Sequence, residues 1–338
     1  MMTYYKKTTR SNAEQNVKCR YYGFDLLRAL SAFIIIGAHL SIQTTDIASQ
    51  LMRYTRGAVG LFAALSGFLL ALALDNETGW IVIRKRIARL LPLHVFWTIF
   101  YIVALSFLST CFNSPPGYTE KMSFNFLVKA FLRGSAEIHL WFLSSLLYSS
   151  IAIVALDSIL PNKIKKLCYI IASAAALFIS SSFNSHFADY DIRLLGFLLL
   201  GAGLYHIRDY FTMPLIKKTA VLFWFFSFFS YWIVFDYVHG NVLDFVLVSL
   251  TIVIFGDTRI KKNRTVSFFS TASLIVYLIH PLLARVVSLV LKHYHHGAVG
   301  VALTLAIWFF VYFLSVLFAL YYGKFLNLIR RKHIFCLQ

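Results

Sequence analysis

Residues 24–43 read FDLLRALSAFIIIGAHLSIQ. A helix of about 20 apolar residues, rising about 1.5 Å per residue, crosses the hydrocarbon core of a bilayer, so this stretch predicts a membrane span. It also carries Asp25, Arg28 and His39, and ionisable groups inside a span are expensive enough to be placed toward a bundle interior or a cavity. At about 100° per residue, Arg28 and His39 lie about 20° apart in azimuth, and Asp25 lies within about 60° of both. The three form one polar stripe on a helix otherwise made of Leu, Ala, Phe and Ile. Arg28 and His39 are about 16 Å apart along the axis, too far for a hydrogen bond. Arg28 is expected to pair locally with Asp25, while His39 sits nearer the far end. Taken alone, His39 reads equally as a satisfied interfacial histidine. Its alignment with a charged pair makes it a candidate base, because histidine titrates near neutrality and can take a proton from a hydroxyl.

Nine further apolar runs follow, at roughly 57–74, 88–110, 139–159, 167–183, 191–207, 215–235, 238–256, 266–291 and 297–323, each near the length a helix needs to cross. The longest connection, 111–138, holds Pro115-Pro116-Gly117 and then the amphipathic stretch Phe124–Leu132, read as an interfacial or re-entrant segment. Composition agrees: 59% of the 338 residues are apolar and only 14% are charged, too few to clothe a water-facing surface. Lys and Arg indicate the orientation, since they are retained on the cytoplasmic side. Alternate connections divide 23 to 6, with the N-tail 1–22 and the C-tail 324–338 on the rich side and only Arg28, Arg193 and Arg285 within spans. The expectation is an all-α polytopic protein of about ten transmembrane helices, forming one integral membrane domain over 1–338 with both termini cytoplasmic. The net charge of +18 is accounted for by topology and attraction to anionic membrane lipid, so no nucleic-acid partner is required.

Other features have plainer readings. Cys19, Cys111, Cys168 and Cys336 have no paired spacing and indicate neither a zinc site nor a disulfide framework. His293, His295 and His296 occupy a short outer loop without an acidic neighbour and are read as solvated, so no metal is expected. Residues 1–20 lack the apolar core of a signal peptide. Ser66-Gly67 reads as a packing element, because small residues let membrane helices approach closely.

Gly23-Phe24-Asp25-Leu26-Leu27-Arg28-Ala29, with ten residues between Arg28 and His39, resembles the first signature of the acyltransferase 3 family. Ser66-Gly67-Phe68-Leu69-Leu70 is similar to its Ser-Gly-Phe turn, and Arg84-Lys85-Arg86 with Arg89 and Pro92 to its Arg-x-Arg element before the third span. His139-Leu140-Trp141-Phe142-Leu143 and Tyr277-Leu278-Ile279-His280-Pro281 resemble two later signatures. The chain departs from the pattern at Gly60–Leu65, which lacks the acidic residue expected just before the Ser-Gly-Phe turn; the local partner of His39 is left open.

The resemblance implies a membrane enzyme that takes an acyl group, usually acetyl, from acyl-CoA on the cytoplasmic side. The acceptor is a hydroxyl of a glycan, or of an undecaprenyl-linked saccharide, at the outer face of a bacterial inner membrane; members modify O-antigen and other surface polysaccharides. His39, with Asp25 and Arg28, would carry the catalysis, His39 acting as base or as transient acyl carrier. Arg84, Arg86 and Arg89 would hold the CoA phosphates, and Ser66, His139, Trp141 and His280 would stand near the substrate. Acetyl-CoA enters as co-substrate, and no permanently bound cofactor is implied. The alternative from a different class is a proton-coupled exporter or flippase of lipid-linked saccharides, with Asp25, Arg28 and His39 as a relay.

Overall fold

The computed structural model describes residues 4–5, 18–19, 22–40, 57–112, 124–133, 140–180, 186–234, 240–255, 264–294 and 300–335. Apart from a two-residue strand pair, Tyr4–Tyr5 with Lys18–Cys19, and the 3-10 turn Arg208–Thr212, these residues form α-helices. In chain order they are α1 (Tyr22–Ala38), α2 (Gly57–Leu74), α3 (Gly79–Phe112), α4 (Phe124–Arg133), α5 (Trp141–Ile159), α6 (Asn162–Ser180), α7 (His186–His206), α8 (Pro214–Val234), α9 (Gly240–Phe255), α10 (Arg264–Tyr294) and α11 (Val301–Phe335). Each apolar run read from the sequence coincides with one of them, and α4 is the amphipathic stretch. Five helices, α2, α3, α5, α10 and α11, are long and apolar enough to cross a membrane. The fold is that of an all-α, multi-pass membrane protein.

Two boundaries correct the sequence reading. The third long helix starts at Gly79, not near 88, so Arg84, Arg86 and Arg89 lie on it and not in a loop before it. The four residues Asp75–Thr78 suffice for the turn, and the apolar Trp80-Ile81-Val82-Ile83 continues the helix without a break. At the other boundary α1 ends at Ala38. His39 therefore stands in the turn after it, its N–H bonded to the Ile36 carbonyl at 3.0 Å.

The chain divides into two compact units, one drawn from Met1–Phe24 and Val59–Lys261, the other from Asp25–Ala58 and Lys262–Gln338. In the first, α2 and α7 touch backbone to backbone. A methyl group on Gly67 would run into the Leu198 carbonyl, and one on Gly201 into the Ala64 carbonyl, so only glycine permits this crossing. Ser66 beside Gly67 turns its hydroxyl back to the Phe62 carbonyl at 3.0 Å, and Ser173 ties α6 to α7 through the Gly196 carbonyl at 2.7 Å.

Helix α4 buries Phe126 and Ala130 and exposes Phe124, Leu127, Val128 and Leu132. The last carbonyls of a helix lack intrahelical donors. Here Phe131 accepts from His94 Nε2 of α3 at 2.7 Å and Leu132 from the Tyr148 hydroxyl of α5 at 3.0 Å. Capping by neighbouring side chains and an apolar outer face suit a helix seated in a lipid environment.

The second unit packs α1, α10 and α11 around Ala32, Ile36 and Leu40, spaced one turn apart, with Ala272, Val276 and Ala284 from α10 and Ile307, Trp308, Val311, Val316 and Ala319 from α11. The Trp308 indole donates to the Phe33 carbonyl at 2.7 Å, and the Phe33 ring stacks on it at 5.3 Å.

Candidate active site

The polar groups of α1 are met within the second unit by α10. Asp25, only 6% exposed, accepts a hydrogen bond from the Ser270 hydroxyl at 2.6 Å, and Ser273 bonds back to the Ser270 carbonyl at 2.7 Å. Arg28 is half-buried on the same helix. His39 lies with its ring centroid 5.2 Å from that of His280, the planes inclined by 53°.

His280 is fully buried, and its neighbour in the chain explains how it is held. Pro281 lies inside α10 and has no N–H, which leaves the Tyr277 carbonyl without its helical donor. The His280 ring occupies this opened turn, with Nδ1 3.1 Å from the Val276 carbonyl. A carbonyl can only accept, so Nδ1 carries a proton. The Tyr277 ring flanks it at 5.8 Å. The structure thus sets a fixed, fully buried imidazole beside His39. Sequence reasoning named both histidines but not the pair, because their separation along the chain hides it; the only local signal was a His-Pro dipeptide within an apolar helix.

The predicted phosphate ligands belong to the first unit and are separated by the helix itself. Arg84 and Arg89 are exposed on α3. Arg86, two residues from Arg84 and therefore on a different side, is 7% exposed. Its guanidinium donates to the Ser150 hydroxyl of α5 at 2.8 Å and to the Ser66 carbonyl of α2 at 2.9 Å. Lys85 pairs with Glu77 at the surface at 2.5 Å. Trp141 opens α5, partly exposed. His139 lies outside the described residues, as do His295, His296 and the side chain of His293, most of the N-tail 1–22 and residues 336–338; the C-tail from 324 to 335 continues α11. Polar pairs that the sequence did not join also occur here: Ser145 with Asp191, and Arg193 with Asp244.

An all-helical membrane protein with a buried carboxylate and an oriented imidazole next to a second histidine has the parts for moving a proton within a bilayer. The chain belongs to the acyltransferase 3 family: the family model described as an acyltransferase domain matches residues 21–324, and the protein is a membrane acyltransferase. No curated protein and no solved structure matches the chain.

Proposed function

We propose that this acyltransferase takes an acetyl group from acetyl-CoA at the cytoplasmic face of a bacterial inner membrane. It passes the group to a hydroxyl of a surface polysaccharide, such as O-antigen, or of an undecaprenyl-linked saccharide. On this reading the chain crosses the membrane about ten times with both termini cytoplasmic, which the distribution of Lys and Arg supports.

The pairing of His39 with an oriented His280 carries this reading. His39 removes the proton from the acceptor hydroxyl as the oxygen attacks the thioester carbonyl. The new C–O bond forms, the tetrahedral intermediate collapses with cleavage of the C–S bond, and the leaving thiolate takes the proton back from His39 to give CoA thiol. His280, locked to the Val276 carbonyl, orients and supports the His39 ring through the step. Asp25 and Ser270 fix the start of α1 against α10, and the half-buried Arg28 supplies positive charge on that helix. Arg84 and Arg89, exposed forks on α3, are the phosphate ligands for the donor, whereas Arg86 braces the helices on which they stand.

Purified protein in lipid nanodiscs, given acetyl-CoA and a cell-surface polysaccharide, tests the reading. Thiol should be released only when acceptor is present, with an acetyl mass gained by the glycan, and both should fall by at least about 100-fold in His39→Ala. Thiol release that ignores the acceptor, or a transporting protein that consumes no thioester, would refute it.

A further inference from the structure

We propose that Asp191, with Ser145 and Trp141, forms a saccharide-binding subsite at the N-terminal end of α5, holding the acceptor by its hydroxyls. The proposal rests on the reading of the acceptor as a glycan. On the topology given above, this end of α5 faces the outer side of the membrane.

Trp141, Ser145 and Tyr148 fall at i, i+4 and i+7 of α5, one face of a helix. That face lies between two neighbours: Ser145 donates its hydroxyl to the Asp191 carboxylate of α7, and Tyr148 donates to the Leu132 carbonyl of α4. Asp191 is exposed in the second turn of α7, and Tyr148 is exposed along half its surface. The result is an exposed carboxylate bonded by a serine that shares its helix face with an indole and a phenol.

The chemistry selects among ligands. An anionic lipid phosphate is repelled by the carboxylate, and an acyl chain gains nothing from it. A neutral pyranose satisfies all three parts: adjacent hydroxyls donate to the carboxylate in charge-assisted hydrogen bonds, while the apolar C–H face of the ring lies on the aromatic side chains. Trp and Tyr also anchor helices at membrane interfaces without binding anything, so the experiment must separate anchoring from recognition.

Saturation-transfer NMR on the full chain in nanodiscs, without acyl-CoA, probes glucose, galactose, N-acetylglucosamine and rhamnose. We expect at least one to bind, with affinity reduced roughly ten- to hundred-fold in Asp191→Asn, the range for losing a hydrogen bond to a charged group. Trp141→Ala should weaken the same sugar while Trp141→Phe, which keeps an aromatic face, retains most of it. In the transfer reaction Asp191→Asn should raise the acceptor KM and leave that for acetyl-CoA unchanged. Should Asp191→Asn fail to insert, the Trp141→Ala and Trp141→Phe pair decides. Absence of binding by every sugar, or binding indifferent to these substitutions, overturns the subsite. Because sugar binding is read without catalysis, loss of the acetyl-transfer reading and loss of this subsite give different results.

Discussion

Thr98 of α3 is fully buried and its hydroxyl has no hydrogen-bond partner among the described residues; His94 Nδ1, one turn earlier on the same face, has none either. A bare buried hydroxyl is unfavourable, and an apolar isostere removes that penalty. Thr98→Val should therefore leave thermal stability in detergent unchanged or raise it by about 1 kcal/mol; a clear loss would mean that the hydroxyl has a partner. The arginines of α3 make a sharper pair. Arg86→Lys replaces a planar fork that reaches Ser66 and Ser150 at once, and should lower stability by about 1–3 kcal/mol with little direct effect on donor affinity in protein that remains folded. Arg84→Lys should leave stability alone and raise the KM for acetyl-CoA. If Arg84→Lys leaves donor affinity unchanged, the exposed Arg84 serves topology alone. For catalysis, His39→Ala should lower turnover by about 100- to 10,000-fold, the usual weight of a general base, in protein that still inserts and purifies normally.

Among the helices, the crossing of α2 and α7 depends on having no side chain at two points. Gly67→Ala and Gly201→Ala each drive a methyl into a carbonyl of the facing helix, Leu198 or Ala64, and backbone atoms cannot step aside as a flexible side chain can. Each should cost at least about 1–3 kcal/mol, visible as poor accumulation in the membrane or a lowered Tm. Gly323→Ala in α11 meets nothing within 4 Å and should be neutral or slightly stabilising, because alanine is the better helix former. Equal effects at all three positions would remove close packing as the cause. The Ser-Gly-Phe stretch was legible as a packing element from its small residues, but its partner was not: several helices contain glycine, and only the fold puts Gly67 on Leu198.

For the molecule as a whole, the topology proposed from the charge split puts the α2–α3 turn on the cytoplasmic side. Thr78 is exposed in that turn, so Thr78→Cys in a cysteine-free background should resist an impermeant maleimide on intact cells and react once the membrane is opened; labelling of intact cells would invert the topology. The amino-acid sequence alone specifies the helical class, the positions of the long apolar helices and the family, because hydrocarbon length, the exclusion of charge from lipid and a set of short ordered motifs are all local properties of the chain. It also singled out Asp25, Arg28, His39 and His280 as residues whose presence in apolar helices needed a reason. The fold sets their partners. Ser270 meets Asp25 and His280 meets His39 because α1 packs against a helix more than two hundred residues away, a contact that no local pattern encodes. It also separated Arg86 from Arg84, since extending α3 back to Gly79 turned a presumed loop into a helix, where residues two apart face different surroundings.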